Sequence, residues 1–110
     1  METQSINLNT YRTHGARIFS GRDRGKQVRE ESRLDEIVSS TTDIIEIVVP
    51  EDTITINPSF LEEFFKNVVK LLGKENFYSR FKFINNGEYQ IKPNLETAIE
   101  RILRKRNALN

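Results

Sequence analysis

Residues 43–50 read DIIEIVVP, from Asp43 to Pro50, and this stretch decides the fold. It is β-branched, nearly all apolar and closed by a proline, the signature of a β-strand. Its lack of alternation predicts burial on both faces, as in the central strand of a layered α/β sheet. Upstream, Ser5 to Asn9 (SINLN) reads as a short first strand and Ala16 to Phe19 (ARIF) as a second extended piece. SGRDRGKQVREESRLDEIVSS then predicts a helix, with Gly21 and Gly25 in a turn and Ser20 or Asp23 as its N-cap. Val28, Leu34, Ile37 and Val38 give that helix a thin apolar stripe.

Downstream, Asp52 to Ile56 alternates and predicts a shorter strand. Asn57-Pro58-Ser59 opens a helix, because asparagine caps well and proline suits the first turn. Phe60, Leu61, Phe64, Phe65, Val68, Leu71 and Leu72 follow helical spacing until Gly73 stops it. A strand over Phe81 to Ile84 leads to an Asn86-Gly87 turn, with Tyr89 to Ile91 as a short strand after it. Pro93-Asn94 opens a last helix striped by Leu95, Ala98, Ile99, Ile102 and Leu103. This order predicts an α/β sandwich, a mixed or mostly parallel sheet of about four strands covered by about three helices.

The chain has 110 residues, 36% of them apolar, enough for one small core and too apolar for a disordered segment. No repeat or linker divides it, so a single domain over residues 1–110 is expected, with its core at about 16–103 and flexible ends at 1–10 and 104–110. The sequence has no cysteine, which excludes disulfides, thiolate chemistry and cysteine-ligated zinc. One histidine, His14, makes no multi-histidine metal site, so neither metal nor cofactor is expected. No apolar run reaches membrane-spanning length and the start METQSINLNT is no signal peptide, so a cytoplasmic location without membrane contact is expected.

A net charge of +1 hides segregation. Arg12, Arg17, Arg22, Arg24, Lys26, Arg29 and Arg33 face only Asp23, Glu30 and Glu31 in the same stretch. From Leu34 to Phe65 there is no basic residue, while Asp35, Glu36, Asp43, Glu46, Glu51, Asp52, Glu62 and Glu63 are acidic. The end turns basic again at Arg101, Arg104, Lys105 and Arg106. Such blocks either steer a partner or neutralise each other within the fold.

The segment Ser20 to Arg29 is the most unusual. Ser20, Gly21, Arg22, Arg24, Gly25 and Arg29 surround an expected helix N-terminus, and free N–H groups with guanidinium forks suit phosphate or carboxylate. The spacing matches neither the P-loop nor GxGxxG. Two readings stay open: a partner- or anion-binding segment, and a glycine turn whose arginines pair with the acidic half of the domain. Glu62 and Glu63 read as solvated first-turn carboxylates, since adjacent helical residues point about 100° apart. His14 lies in a polar stretch without a Ser/Asp constellation. Arg101, Arg104 and Lys105 are expected on the solvent side of the last helix, where a basic end either touches nucleic acid or is simply solvated. Phe60, Phe64 and Phe65 read as core. No constellation supports an enzyme.

FSGRDRGKQVR, LDEI, VVPEDTITINPSFLEEFF and INNGEYQIKPNLETAIERIL together resemble the bacterial STAS-like family of unknown function. The likeness covers roughly Ala16 to Leu103. Its most specific pieces are SGR-x-x-G-x-x-x-R (Ser20, Gly21, Arg22, Gly25, Arg29) and I-N-P-S-F (Ile56 to Phe60). The resemblance implies the anti-sigma-factor-antagonist fold, a mixed sheet covered by helices, and a regulatory module without chemistry of its own. In the wider superfamily a GHKL-type kinase phosphorylates a serine where a strand runs into a helix, and the added charge switches partner binding.

The matching junction here is Ile56 to Phe60. Where that superfamily has an acid, two small hydroxyl residues and a glycine, this chain has Asn57, Pro58, Ser59 and Phe60. The acceptor position falls on Pro58, which leaves Ser59 as the candidate phospho-acceptor beside Asn57; its plainer role is that of an early-helix residue. The expected function is therefore protein–protein regulation with an ATPase or kinase-type partner. The alternatives are an anion- or nucleotide-binding domain using Ser20–Arg29, and a nucleic-acid accessory protein using the basic C-terminal helix. Arg22 and Arg29 are expected to face Asn57–Ser59 or a partner's acidic surface. A homo-oligomer through a sheet edge is a further expectation.

Overall fold

The computed structural model describes residues 3–13 and 15–108, apart from the side chains of 106–108. The strand read from residues 43–50 forms over Ile44–Val49 (β3) and is the centre of a three-stranded sheet. Its neighbours are β1 (Thr3–Asn7) and β5 (Phe81–Asn85), both parallel to it. A second, two-stranded parallel sheet pairs β2 (Ile18–Phe19) with β4 (Thr55–Ile56). Helices α1 (Arg22–Ser32) and α2 (Leu34–Ser40) connect β2 to β3, and α3 (Pro58–Arg80) connects β4 to β5. Helix α4 (Lys92–Ala108) packs on α3. The result is an α/β domain with parallel sheets of three and two strands under four α-helices, against the about four strands and three helices expected.

The two faces of the main sheet differ. Ile45, Ile47 and Val49 are buried with Ile6 and Phe81, whereas Ile44, Glu46 and Val48 are only partly covered. The expectation of burial on both faces is corrected. Each connection from β1 to β3 to β5 moves the same way across the sheet, and crossovers of one hand then lay their helices on the same side. The open side carries the rung Ser5, Glu46 and Lys82, brought into line by the register.

The helix expected from Ser20 through Ser40 is two helices. Arg33 sits at φ 59°, ψ 34°, a left-handed conformation that costs a non-glycine residue about 1 kcal/mol. The break turns Leu34 and Val38 into the core, where they are 0% and 3% exposed. The N-cap of α1 is Gly21 at φ 91°, not Ser20 or Asp23, and no side chain caps it.

Gly73, at φ 78°, interrupts α3 where a stop is expected, but the chain resumes the helix to Arg80. That extra turn returns Phe77 to the core, stacked on Phe81 at 4.5 Å and edge-on to Phe65 at 5.0 Å. Arg80 then forks onto the α2–β3 link, donating to the carbonyls of Val38 (3.1 Å), Thr41 (3.0 Å) and Asp43 (3.1 Å). Tyr89 to Ile91 is not a strand; it is an irregular run into α4 held by side chains. There the Asn85 Nδ2 donates to the Tyr89 carbonyl at 2.5 Å. At the N-terminal end, Ile6 and Leu8 are 4% and 1% exposed, so β1 belongs to the core.

Candidate functional site

The two segments singled out in the sequence meet. Ile18 pairs with Thr55 and Phe19 with Ile56, and the ladder continues as Ile54 donates to the Arg17 carbonyl (2.7 Å) and Asn57 to the Phe19 carbonyl (2.8 Å). Parallel strands that each run straight into a helix must start those helices at the same end. The N-termini of α1 and α3 therefore lie side by side, each with the partial positive charge of unpaired N–H groups. Glycine makes the close packing of these helices possible. A Cβ on Gly25 would stand 2.3 Å from the Phe60 carbonyl oxygen and 3.1 Å from the Glu63 Cβ.

On the α3 side, the Ile56 carbonyl accepts from the Tyr89 hydroxyl and the Asn94 amide, both at 3.0 Å. Asn57 is the N-cap by position, with ψ 150°, but its side chain makes no capping bond. Pro58 opens the helix, as its fixed φ and missing N–H favour. Ser59 follows in the first turn, half-buried.

One turn further along α3 the structure departs most from expectation. Glu62 is not a solvated carboxylate: it is 2% exposed. Its Oε2 accepts from Lys105 Nζ at 2.6 Å and from Arg22 Nη1 at 3.0 Å. Its Oε1 is buried without a hydrogen-bond partner, 4.0 Å from Arg101 Nη1. Burial by itself would push the Glu62 carboxyl up, yet the hydrogen bonds and charges of Lys105 and Arg22 outweigh it and hold the group below its ordinary value. The Arg22 guanidinium is correspondingly raised, first by its hydrogen bond to Glu62. Glu62 thus joins α1, α3 and α4 through one carboxylate.

The remaining residues of the glycine–arginine segment divide. Ser20 is exposed. Arg24 donates to the Tyr11 carbonyl and, at 2.8 Å, to Gln27 Oε1. Arg29 is 10% exposed and donates to the Glu63 carbonyl at 2.5 Å, with the Glu63 and Asp35 carboxylates each 3.9 Å away. Arg22 and Arg29 so face Glu62 and Glu63, not Asn57–Ser59. Arg101 and Lys105 keep 44% and 59% of their side chains exposed while reaching back to Glu62, and Arg104 is exposed. His14 lies outside the described residues.

Two features escaped the sequence reading. Glu62 stands three and seven residues before the buried Phe65 and Val69, so its place on an apolar stripe was a signal of burial. Ile18 and Ile54, on the β2–β4 ribbon beside both junctions, are 50% and 54% exposed. Nothing in their alternation announced that. Among the described residues no helix is long and apolar enough to cross a membrane, and no cluster of three acidic or histidine side chains is placed to hold a metal ion. No family model, curated protein or solved structure matches the chain.

Proposed function

We propose that the chain is a non-enzymatic regulatory module of the STAS-like kind, acting by contact with an ATPase or kinase-type protein through the joined β2–α1 and β4–α3 junctions. The observation that carries this reading is the pair of half-exposed isoleucines, Ile18 and Ile54, on a ribbon anchored to both helix starts. Large apolar side chains left in water next to a rigid scaffold are what a partner surface needs. Ser59 lies in the first turn of the adjoining helix, where an added phosphate would meet a favourable dipole. The α/β order and the SGR-x-x-G-x-x-x-R and I-N-P-S-F pieces favour the same family.

The anion-binding alternative draws mainly on Arg24, since Arg22 and Arg29 are engaged by Glu62 and Glu63. The nucleic-acid alternative keeps Arg104 but shares Arg101 and Lys105 with Glu62. The test is affinity capture of the tagged chain from its own host cell, followed by intact-mass analysis. A stoichiometric ATPase or kinase-type protein, or a phosphate-sized increment mapping to Ser59, is the expected result. Recovery of the chain alone and unmodified overturns the reading.

A further inference from the structure

The three parallel strands β1, β3 and β5 end together at Asn7, Val49 and Asn85, and the chain beyond them forms a crevice. Carboxyl ends of parallel strands are where open α/β sheets hold small ligands, because the loops diverge there. The first hollow, of about 460 Å³, lies between Asn7, Asn9, Arg12, Glu51, Asp52 and Asn86. A second, of about 420 Å³, continues from it along Glu51, Asp52 and Asn86 to Arg17, Thr53 and Glu88. Each falls within the size range of small-molecule sites.

The walls are built, not incidental. Asn7 Oδ1 accepts the Asn9 N–H at 2.9 Å, and Asn85 Oδ1 accepts the Gly87 N–H at 3.0 Å. Gly87 presses so closely on the opposite loop that a Cβ there would stand 2.3 Å from the Glu51 carbonyl oxygen. Arg12 Nη1 pairs with Asp52 Oδ1 at 2.7 Å, and Arg17 Nε donates to the Asp52 carbonyl at 2.9 Å. The Thr53 hydroxyl, on the wall of the second hollow, belongs to a side chain only 7% exposed and has no hydrogen-bond partner. An orphaned buried hydroxyl calls for a partner.

The chemistry of these groups narrows the ligand. Both guanidiniums are engaged by Asp52, while Glu51 and Glu88 stay exposed without printed partners of opposite charge, so an anion would meet an acidic wall. What remains are carboxamides that donate and accept, carboxylates that accept, and a hydroxyl. That set suits adjacent hydroxyl groups, each of which donates one hydrogen bond and accepts others. We propose that this crevice binds the vicinal diol of a neutral, hydroxyl-rich small molecule, a free sugar or the ribose of a nucleoside. The site is separate from the β2–β4 ribbon and does not depend on the protein-binding reading.

The experiment is amide-resolved NMR of the full chain titrated with D-ribose, with adenosine and with inorganic phosphate. Saturable shifts at Asn9, Asp52, Thr53 and Gly87 are expected with ribose or adenosine, and none there with phosphate. Glu51→Gln and Asn86→Ala, both at the crevice surface, should weaken the binding roughly ten-fold, as loss of a hydrogen bond to a charged or amide group predicts. Adenosine binding more tightly than ribose identifies a nucleoside, and equal binding a sugar. No saturable shift with either, shifts away from the crevice, unaltered binding by both variants, or phosphate bound in its place overturns the proposal.

Discussion

Asn57 donates its backbone N–H to the Phe19 carbonyl over 2.8 Å, and that bond sets two strand-to-helix junctions side by side. Everything proposed for the surface of this chain follows from the pairing. It aligns the starts of α1 and α3, places Gly25 against Phe60, and brings Arg22 within reach of Glu62.

Glu62 shares its charge between cations that are themselves about half exposed, so either can be lost alone at small cost. Arg22→Ala or Lys105→Ala should each destabilise by no more than about 1 kcal/mol, because the surviving partner keeps the carboxylate paired. The double variant leaves Glu62 with only the more distant Arg101 and should lose about 3 kcal/mol. Urea unfolding of the four proteins measures the coupling directly. Strictly additive losses would contradict the shared pairing.

The same carboxylate gives stability a pH dependence of known sign. Its value in the fold is below 4.5, the ordinary value, so the folded state holds the charged form more tightly than the unfolded chain does. The contribution is therefore complete above 4.5 and is lost as pH falls through the folded value. Asp52, lowered chiefly by its hydrogen bond from Arg12, acts in the same direction. The stability gap between the wild type and Glu62→Gln should be widest near about pH 7 and shrink towards about pH 3, read by denaturant titration at each pH. A gap that widens on acidification would show that Glu62 is held neutral.

Gly25→Ala opposes two effects on α1. Replacing a helical glycine by alanine gains about 1 kcal/mol of helix propensity. Here the new methyl meets a backbone carbonyl at 2.3 Å, which cannot swing aside as a side chain would, and such overpacking costs about 1–3 kcal/mol. The clash wins, and a lower thermal midpoint is expected. A rise would mean that α1 and α3 are less closely packed than described.

The legible parts of the fold were those that local chemistry dictates. β3, the Asn57-Pro58 entry to α3, the Gly73 interruption and the α4 stripe all form where composition and spacing place them. What stayed hidden depended on contacts distant in sequence. Arg33 breaks a helix because Leu34 and Val38 have a core to enter, and no glycine marks the spot. The second turn-run of α3 exists because Phe77 meets Phe65 and Phe81. Of the candidate site, the special character of Ser20–Arg29 was visible, but not its neighbours. The partners of Arg22 and Arg29 lie 40 and 34 residues away, beyond any local signal.

The most direct test of the central claim is a side-by-side capture from the host cell of the wild type, Ile18→Asp/Ile54→Asp, and Leu71→Asp. Leu71 is equally apolar and 65% exposed, but it lies roughly 18 Å further along α3 from Ser59 by the helical rise. All three chains should fold, since none of the replaced side chains is buried. The account predicts one stoichiometric ATPase or kinase-type partner retained by the wild type and Leu71→Asp and lost by the ribbon variant. A partner held equally by all three, or by none, would contradict it.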